Sequence, residues 1–237
     1  DLSGNIILKK VQEAAAASLT QEHSGWVCTY YVYDDFGLLR FIITPKAVKY
    51  LDGNGWNLTQ SIIDELCFRY QYDEKGRVIT KKQPGAGEQV VVYDKKERPI
   101  LSQDANQKAK GQWSFNLYDE LSRPVATGLF DNGADRVAMQ THANTNLNTG
   151  IVSISVFVGN GTYQSLNVEN PIAGSSGTSN YCNGCNATTL TYNSVTHFDN
   201  YSYTGVKNFN TNNNFALNNV DFPDPTEKTS RTTGFVT

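Results

Sequence analysis

Residues 67–85 read "CFRYQYDEKGRVITKKQPG", and the structural class can be predicted from this segment. A run rich in aromatic residues leads into Tyr72-Asp73, and a run rich in β-branched residues follows Gly76-Arg77. Aspartate at the first position of a tight turn accepts hydrogen bonds from the backbone N–H groups that follow it, and glycine readily adopts the positive φ that ends such a turn. The stretch therefore predicts two antiparallel strands joined by a bend at Asp73.

The same bend recurs along the chain. Successive motif aspartates lie 33, 39, 21 and 25 residues apart, counting Asp1, whose segment to Ile7 fits the frame without a tyrosine. Such periods are typical of repeated supersecondary units, and the longer gaps indicate insertions. Recurrence favours a structural role over a catalytic one, because a catalytic acid is not expected in every unit. The predicted turn residues are Tyr33, Asp34, Gly37, Tyr72, Asp73, Gly76, Arg77, Tyr93, Asp94, Arg98, Tyr118, Asp119 and Arg123.

Two units depart from this pattern. Glu97 and Ser122 replace the glycine, and Pro99 and Pro124 follow the arginine. Because proline cannot donate a ladder hydrogen bond, we expect these hairpins to be looser or to lie at a sheet edge. In the three units that have an arginine, we expect it to lie opposite the tyrosine of its own hairpin, with the guanidinium over the ring. The expected pairs are Tyr72 with Arg77, Tyr93 with Arg98, and Tyr118 with Arg123.

Composition bounds the class of protein. The 237 residues have room for one large domain or two small ones, and the net charge of -3 provides no basic field for nucleic acid or an anionic membrane. No apolar run approaches the roughly 20 residues of a membrane helix, and residues 1–20 lack a signal-peptide pattern. Abundant glycine, tyrosine and phenylalanine favour an all-β fold, with helix candidates at Val11 to Gln21 and Ser61 to Leu66.

The pattern Y-D-x-x-G-R followed by a short strand resembles the YD repeats of the Rhs family, in the variant found in surface proteins of Bacteroidota. Residues 26–48, 65–85 and 118–130 carry the likeness, which extends over roughly residues 1–136, with a weaker echo at 230–237. The resemblance implies an antiparallel β-ribbon that spirals into a hollow shell within a very large exported protein.

The resemblance also implies a function. Such proteins enclose a C-terminal toxin or act as adhesins, including gliding adhesins, and their export usually uses type IX secretion. The chain is therefore expected to be a non-enzymatic scaffold segment, extracellular or at the cell surface, without a cofactor. Its expected partners are the remainder of its own polypeptide and the secretion components, with no nucleic acid and no membrane insertion. The alternative is an adhesin or carbohydrate-binding module that contacts surface glycans.

Composition also divides the chain. Residues 137–237 hold 18 of the 24 asparagines and only 8 of the 43 charged residues. We therefore expect a YD-repeat ribbon over 1–136, an Asn-rich β and loop insertion over 137–229, and the start of a further unit over 230–237.

The four cysteines form two groups. Cys28 and Cys67 each stand six residues before a motif aspartate. Equivalent positions two strands apart are separated by about 9–10 Å, beyond the reach of a disulfide, so we expect these two to be buried and unpaired. For Cys182 and Cys185 the sequence leaves a local disulfide, free thiols and a zinc site with His197 as alternatives.

Catalytic and metal motifs are not apparent. None of the three histidines lies in a recognisable catalytic motif, and the Asp52 to Gly55 and Asp131 to Asp135 segments read as turns instead of calcium loops. Among the tryptophans, Trp113 is expected in the core. Trp56, within D-G-N-G-W-N, is expected to be exposed and is the candidate glycan contact.

Overall fold

The computed structural model describes residues 4–15, 17, 23–146, 151–159, 162–169, 190–198 and 232–236. These contain thirteen β-strands and four α-helices. The chain divides into two compact units, Asp1–Val91 with Ser102–Ala109, and Val92–Leu101 with Lys110–Thr237. The recorded strand pairings are antiparallel, so the predicted all-β class built from antiparallel hairpins is confirmed.

The strands that begin in the first unit follow one another in space as they do in sequence. They are β1 (Leu8–Gln12), β2 (Trp26–Tyr33), β3 (Leu39–Ile43), β4 (Cys67–Tyr72), β5 (Val78–Lys82) and β6 (Glu88–Tyr93). Their aromatic and β-branched residues suit a pleated surface. The register places Tyr30 opposite Ile43, and Ile43 opposite Cys67. This meander is what a succession of tight hairpins produces.

Two helices occupy the 39-residue gap between motif aspartates, α1 (Pro45–Asp52) and α2 (Gln60–Leu66). Thr44 caps α1, because its Oγ1 accepts from the Ala47 N–H at 3.4 Å and donates to the Leu66 carbonyl at 2.7 Å. Thr59 caps α2 in the same way. The helix predicted over Ser61 to Leu66 is confirmed, and it belongs to an insertion between two hairpins.

The helix predicted over Val11 to Gln21 is wrong at its start. β1 extends to Gln12 and pairs with β2, Val11 lying opposite Val27. The alanine-rich composition of the segment favours helix, but a neighbouring strand supplies ladder partners that a propensity scale does not consider.

The core of the first unit lies where α1 and α2 cover the strands. Its buried residues are Cys28, Ile43, Ala47, Val48, Leu51, Ile62 and Cys67. Cys28 and Cys67 are 2% and 0% exposed and are free thiols, as predicted. Burial raises the pKa of the Cys67 thiol, so this side chain packs as a neutral, small apolar group.

The second unit contains a further antiparallel succession in the order β7-β8-β9-β12-β13, and a β10-β11 hairpin that meets β8 at Glu169 and Tyr118. The elements that begin in this unit are β7 (Pro99–Gln103), β8 (Gln112–Tyr118), β9 (Pro124–Asp131), α4 (Arg136–Asn146), β10 (Ile151–Gly159), β11 (Thr162–Glu169), β12 (Leu190–Phe198) and β13 (Thr232–Val236). Helix α3 (Ala105–Lys110) begins in the first unit. None of the described helices is long and apolar enough to cross a membrane.

Strand alternation builds the core of the second unit. On β8, Trp113, Phe115 and Leu117 are buried, and the residues between them are partly exposed. Gly128 on β9 permits close strand approach, because a Cβ there would stand 2.1 Å from the Thr191 carbonyl oxygen. The core therefore combines large aromatic side chains with one position where only glycine fits.

Helix α4 covers part of the second unit. Its residues Met139 and Ala143 are fully buried. The Gln140 side-chain amide accepts from the Tyr93 N–H at 3.1 Å and donates to the Tyr93 carbonyl at 2.7 Å. A glutamine amide presents the same donor and acceptor as a peptide group, so Gln140 satisfies both backbone groups of this strand residue.

Candidate functional site: the repeated corner

The corner at Asp73 is organised by one carboxylate. Asp73 Oδ1 accepts from the backbone N–H groups of Lys75 at 3.0 Å and Arg77 at 2.9 Å, and Oδ2 accepts from Arg77 Nε at 2.7 Å. The backbone closes around it, because Gly76 N–H donates to the Asp73 carbonyl and Asp73 N–H donates to the Arg77 carbonyl, both at 3.0 Å. The aspartate thus satisfies the turn and the arginine together.

The corners at Asp94 and Asp119 repeat this arrangement. Oδ1 accepts from two backbone N–H groups at 2.9–3.0 Å in each, and Oδ2 accepts from Nε of Arg98 at 2.7 Å or Arg123 at 2.6 Å. The Asp34 corner keeps the backbone bonds. Leu38 stands there in place of the arginine, so this corner lacks the ion pair within the turn.

The fourth residue of each corner has a left-handed backbone. Its φ is 77° at Gly37 and 74° at Gly76, and also 67° at Glu97 and 62° at Ser122. The expectation that the last two hairpins would be looser is wrong, since their aspartates make the same hydrogen bonds. These bonds hold a non-glycine residue in a conformation that is intrinsically unfavourable.

Both prolines occupy strand positions that tolerate a residue without a backbone N–H. Pro99 and Pro124 are the first residues of β7 and β9. The β8-β9 pairing contains a bulge between Leu117 and Tyr118, so the regular hydrogen-bond pattern does not continue to the corner. First strand positions and bulges are where a residue without an N–H is tolerated.

The arginines do not lie opposite their own tyrosines, which corrects the sequence prediction. A bulge between Gln71 and Tyr72 shifts the β4-β5 register by one residue, so that Tyr72 faces Val78. The guanidinium of Arg98 instead lies over the ring of Tyr118, in the next unit, at 4.7 Å, and donates to Ser122 Oγ at 3.1 Å. Each arginine thus serves its own aspartate, and Arg98 also contacts the following corner.

Phe198 contacts the corner at Arg123, and the sequence search missed this contact. The guanidinium of Arg123 lies 4.3 Å from the centre of its ring, as that of Arg98 does over Tyr118. Phe198 ends β12, the strand that follows β9 in the sheet, and Asp199 comes next in the sequence. A search for Phe-Asp beside Tyr-Asp would have found this position.

The tyrosine hydroxyls link successive units. Tyr72 Oη donates to the Leu39 carbonyl at 2.8 Å, Tyr118 Oη to the Pro99 carbonyl at 3.0 Å, and Tyr33 Oη to the Ile6 carbonyl at 3.2 Å. Each acceptor is the fifth residue after the aspartate of the preceding unit. Burial raises the pKa of the Tyr72 and Tyr118 phenols, which keeps both hydroxyls protonated as donors.

Electrostatics distinguish the corners. Burial acts to raise the pKa of Asp73, but the hydrogen bonds and charge of Arg77 outweigh it and lower the pKa below its ordinary value. Asp94 and Arg98 are only 3% and 8% exposed as residues, so this ion pair is shielded from water. The oxygens of these carboxylates accept hydrogen bonds from donors of the same corner, which is the arrangement of a structural residue and not of a general acid or base.

A different cluster surrounds Trp56, which is 42% exposed. Its ring lies 5.0 Å from the His23 ring and 5.6 Å from the Tyr30 ring, edge-on to the latter. His23 Nδ1 is 3.1 Å from Asp52 Oδ1, and His23 Nε2 is 2.9 Å from Tyr30 Oη. His23 and Asp52 also line a groove of about 570 Å³ beside α1.

The structure describes only some of the residues named as metal or thiol candidates. No group of three or more His, Cys, Asp or Glu side chains in the described parts of the chain is placed to hold a metal ion. Cys182 and Cys185 lie outside the described residues, so the alternatives for this pair stay predictions. His197 lies on β12, where burial lowers its pKa.

No protein-family model and no curated protein matches the chain. Among solved structures it is similar to the crystal structure of TcdB2-TccC3 without its hypervariable C-terminal region, with a TM-score of 0.38 and 22% identity over 54% of this chain. It is also similar to TcdB2-TccC3, with a TM-score of 0.39 and 20% identity over 68% of this chain. A third similar structure is the pore of the Photorhabdus luminescens Tc holotoxin carrying a TccC3 mutation, with a TM-score of 0.33 and 20% identity over 57% of this chain. The chain spans 6%, 7% and 5% of these chains, respectively.

Proposed function

We propose that this chain is a non-enzymatic scaffold segment that builds part of a β-shell in a larger exported protein. The observation that carries the proposal is the repeated bond from a tyrosine hydroxyl to the carbonyl that stands five residues after the preceding corner aspartate, as from Tyr72 to Leu39. The same bond joins Tyr118 to Pro99. A link of this kind joins units into a ribbon and requires no ligand.

The corners support the proposal in a second way. The Asp73, Asp94 and Asp119 carboxylates each bind two N–H groups of the turn and the guanidinium of the same corner. In a repeat architecture stability is approximately a sum of unit and interface contributions, so each corner adds local rigidity. Rigidity is the property that a carrier for another domain needs.

The finer parts of the proposal rest on the resemblance of the Y-D-x-x-G-R pattern to the Rhs family. They are that the shell encloses or carries a toxin or adhesin unit, that its principal partner is the remainder of the same polypeptide, and that it lies outside the cell or on its surface. Type IX secretion and a role in gliding belong to the same expectation.

Hydrogen exchange on single-corner variants tests the scaffold proposal. Asp73→Ala removes the carboxylate that joins β4 to β5, and we expect faster exchange in residues 67–82 and the neighbouring strands, with slow exchange retained in residues 112–131. Glu74→Ala is the matched control, since Glu74 is an exposed residue of the same turn. Equal acceleration across the whole chain by Asp73→Ala would contradict a repeat scaffold.

Carbohydrate binding is a second candidate function. The observation that favours it is Trp56, an exposed aromatic residue with φ of 58°. Its ring packs against His23, which lines a groove of mixed polar and apolar side chains. This function is compatible with a scaffold, because a surface segment can both hold its shape and contact a glycan.

A further inference from the structure

We infer that the groove beside α1 binds a neutral oligosaccharide, whose hydroxyl groups bond to Asp52 and neighbouring side chains of the groove. One sugar ring extends from the groove to stack on Trp56, which is not a lining residue but packs against the lining residue His23. The inference rests on the carbohydrate-binding candidate and not on the scaffold role. It assigns a ligand class and named contacts to a part of the surface that the corner motif does not use.

The backbone at Trp56 is the first argument. Its φ of 58° follows a φ of 66° at Gly55, and a bulky residue in the left-handed region is an outlier. Glycine or asparagine adopts this conformation at lower cost. Trp56 N–H donates to the Leu51 carbonyl at 2.9 Å, which holds the loop in place. A strained residue whose large side chain is exposed indicates a use for that side chain.

The neighbouring side chains hold the ring in one orientation. His23 packs against Trp56 at 5.0 Å, and Tyr30 meets it edge-on at 5.6 Å. Asp52 and Tyr30 contact the two ring nitrogens of His23, whose side chain is 11% exposed. The platform is therefore arranged before a ligand binds, which reduces the entropy lost on binding.

The groove has the size and chemistry of a sugar site. Its volume of about 570 Å³ falls within the range of small-molecule sites. Among the described residues, its lining carries two carboxylates and two ammonium groups, at Glu13, Asp52, Lys46 and Lys49. The balance provides no attraction for a strongly charged ligand, whereas sugar hydroxyls donate to carboxylates and accept from ammonium groups. A pyranose also presents an apolar face to an aromatic ring.

Titration with neutral oligosaccharides tests the inference. The full 237-residue chain is titrated with cello-, xylo-, malto- and chito-oligosaccharides, and binding is followed by tryptophan fluorescence and calorimetry. We expect saturable binding of at least one of them. Trp56→Ala should weaken that binding about tenfold, and Trp56→Phe, which keeps a ring, should weaken it less. Phe36→Ala is the control, because Phe36 is also an exposed aromatic residue, at 90%, on a corner turn.

Asp52→Asn provides a second variant that keeps the shape of the side chain. We expect it to weaken binding while the far-UV circular dichroism and melting temperature stay close to those of the parent chain. No saturable response to any of the four neutral classes would overturn the inference, as would equal binding by the parent chain and Trp56→Ala. Binding confined to polygalacturonate, an anionic control ligand, would overturn it too. The stability of the corner variants is measured separately, so failure here leaves the scaffold proposal standing.

Discussion

The corner from Asp73 to Arg77 has Gly76 at its fourth position, whereas the corner from Asp94 to Arg98 has Glu97 there. The backbone conformations are nearly the same, with φ of 74° and 67°. The aspartate bonds agree within about 0.1 Å in length. Burial differs, since the Asp73 side chain is 20% exposed and that of Asp94 is 0% exposed. The carboxylate therefore defines the corner, glycine lowers its cost, and burial decides how much each ion pair contributes.

The largest difference between the two corners should come from removing the aspartate. Asp94→Ala leaves the buried Arg98 without its carboxylate, and we expect a loss of about 3–5 kcal/mol in the free energy of unfolding. Asp73→Ala removes the partner of Arg77, whose side chain water already reaches, and the loss in the free energy of unfolding should be about 1–3 kcal/mol. Urea denaturation of both variants measures the difference, with Lys95→Ala, an exposed turn residue, as the control. Equal losses would show that burial does not separate the corners.

Substitutions at the fourth position of the two corners should change the free energy of unfolding in opposite directions. Gly76→Val places a β-branched residue in the left-handed region and should cost about 1–2 kcal/mol. Glu97→Gly removes a strained residue and should stabilise the chain by about 0.5–1 kcal/mol. Thermal melts of the two variants provide the comparison. If both variants melt below the parent chain, strain at Glu97 is not the difference between the corners.

Removing one hydroxyl tests the link between units. Tyr72→Phe deletes the donor to the Leu39 carbonyl and should cost about 0.5–1.5 kcal/mol in chemical denaturation. Tyr31→Phe is the matched control on a neighbouring hairpin, because its hydroxyl has no hydrogen-bond partner among the described residues. Similar losses of stability for the two variants would show that the Tyr72 hydroxyl bond does not stabilise the link between units.

The smallest effect concerns pH at the partly exposed corner. The folded-state pKa of Asp73 is lowered from its ordinary value of 3.8, so its stabilising contribution is present above that value and is lost as the pH falls through the folded-state pKa. The stability difference between the parent chain and Asp73→Asn should therefore be constant at neutral pH and shrink below about pH 4. Unfolding free energies measured from pH 7 to pH 2 check this. A difference that grows in acid would contradict the sign.

The sequence predicted interactions between residues close together in the chain better than interactions between distant residues. Three predictions were correct because they depend on neighbouring residues or on the strand period. They are the bend at Asp73, the antiparallel hairpins, and the unpaired Cys28 and Cys67. The residues that face Tyr72 and Tyr118 were predicted wrongly, because a one-residue bulge moves the facing position and no local pattern indicates the bulge. Arg98 contacts the ring of Tyr118, a residue of the next hairpin. Phe198 was missed since the motif was defined by tyrosine, although an aromatic ring of either kind accepts a guanidinium.

The cluster around Trp56 was predicted only in part from the sequence. Its exposed tryptophan was expected from the turn residues around it, but its neighbours were not. His23 precedes Trp56 by 33 positions, and Tyr30 lies on β2 between them. The packing of α1 beside β2 brings these residues together, and a contact of that kind leaves no periodic signal.

The corner follows from local sequence, because the aspartate, the residue with positive φ and the arginine stand within five positions and their hydrogen bonds close within the turn. Only the tertiary structure decided which unit each arginine and tyrosine reaches. That choice depends on strand register, and a shift of one residue redirects every side chain along a strand.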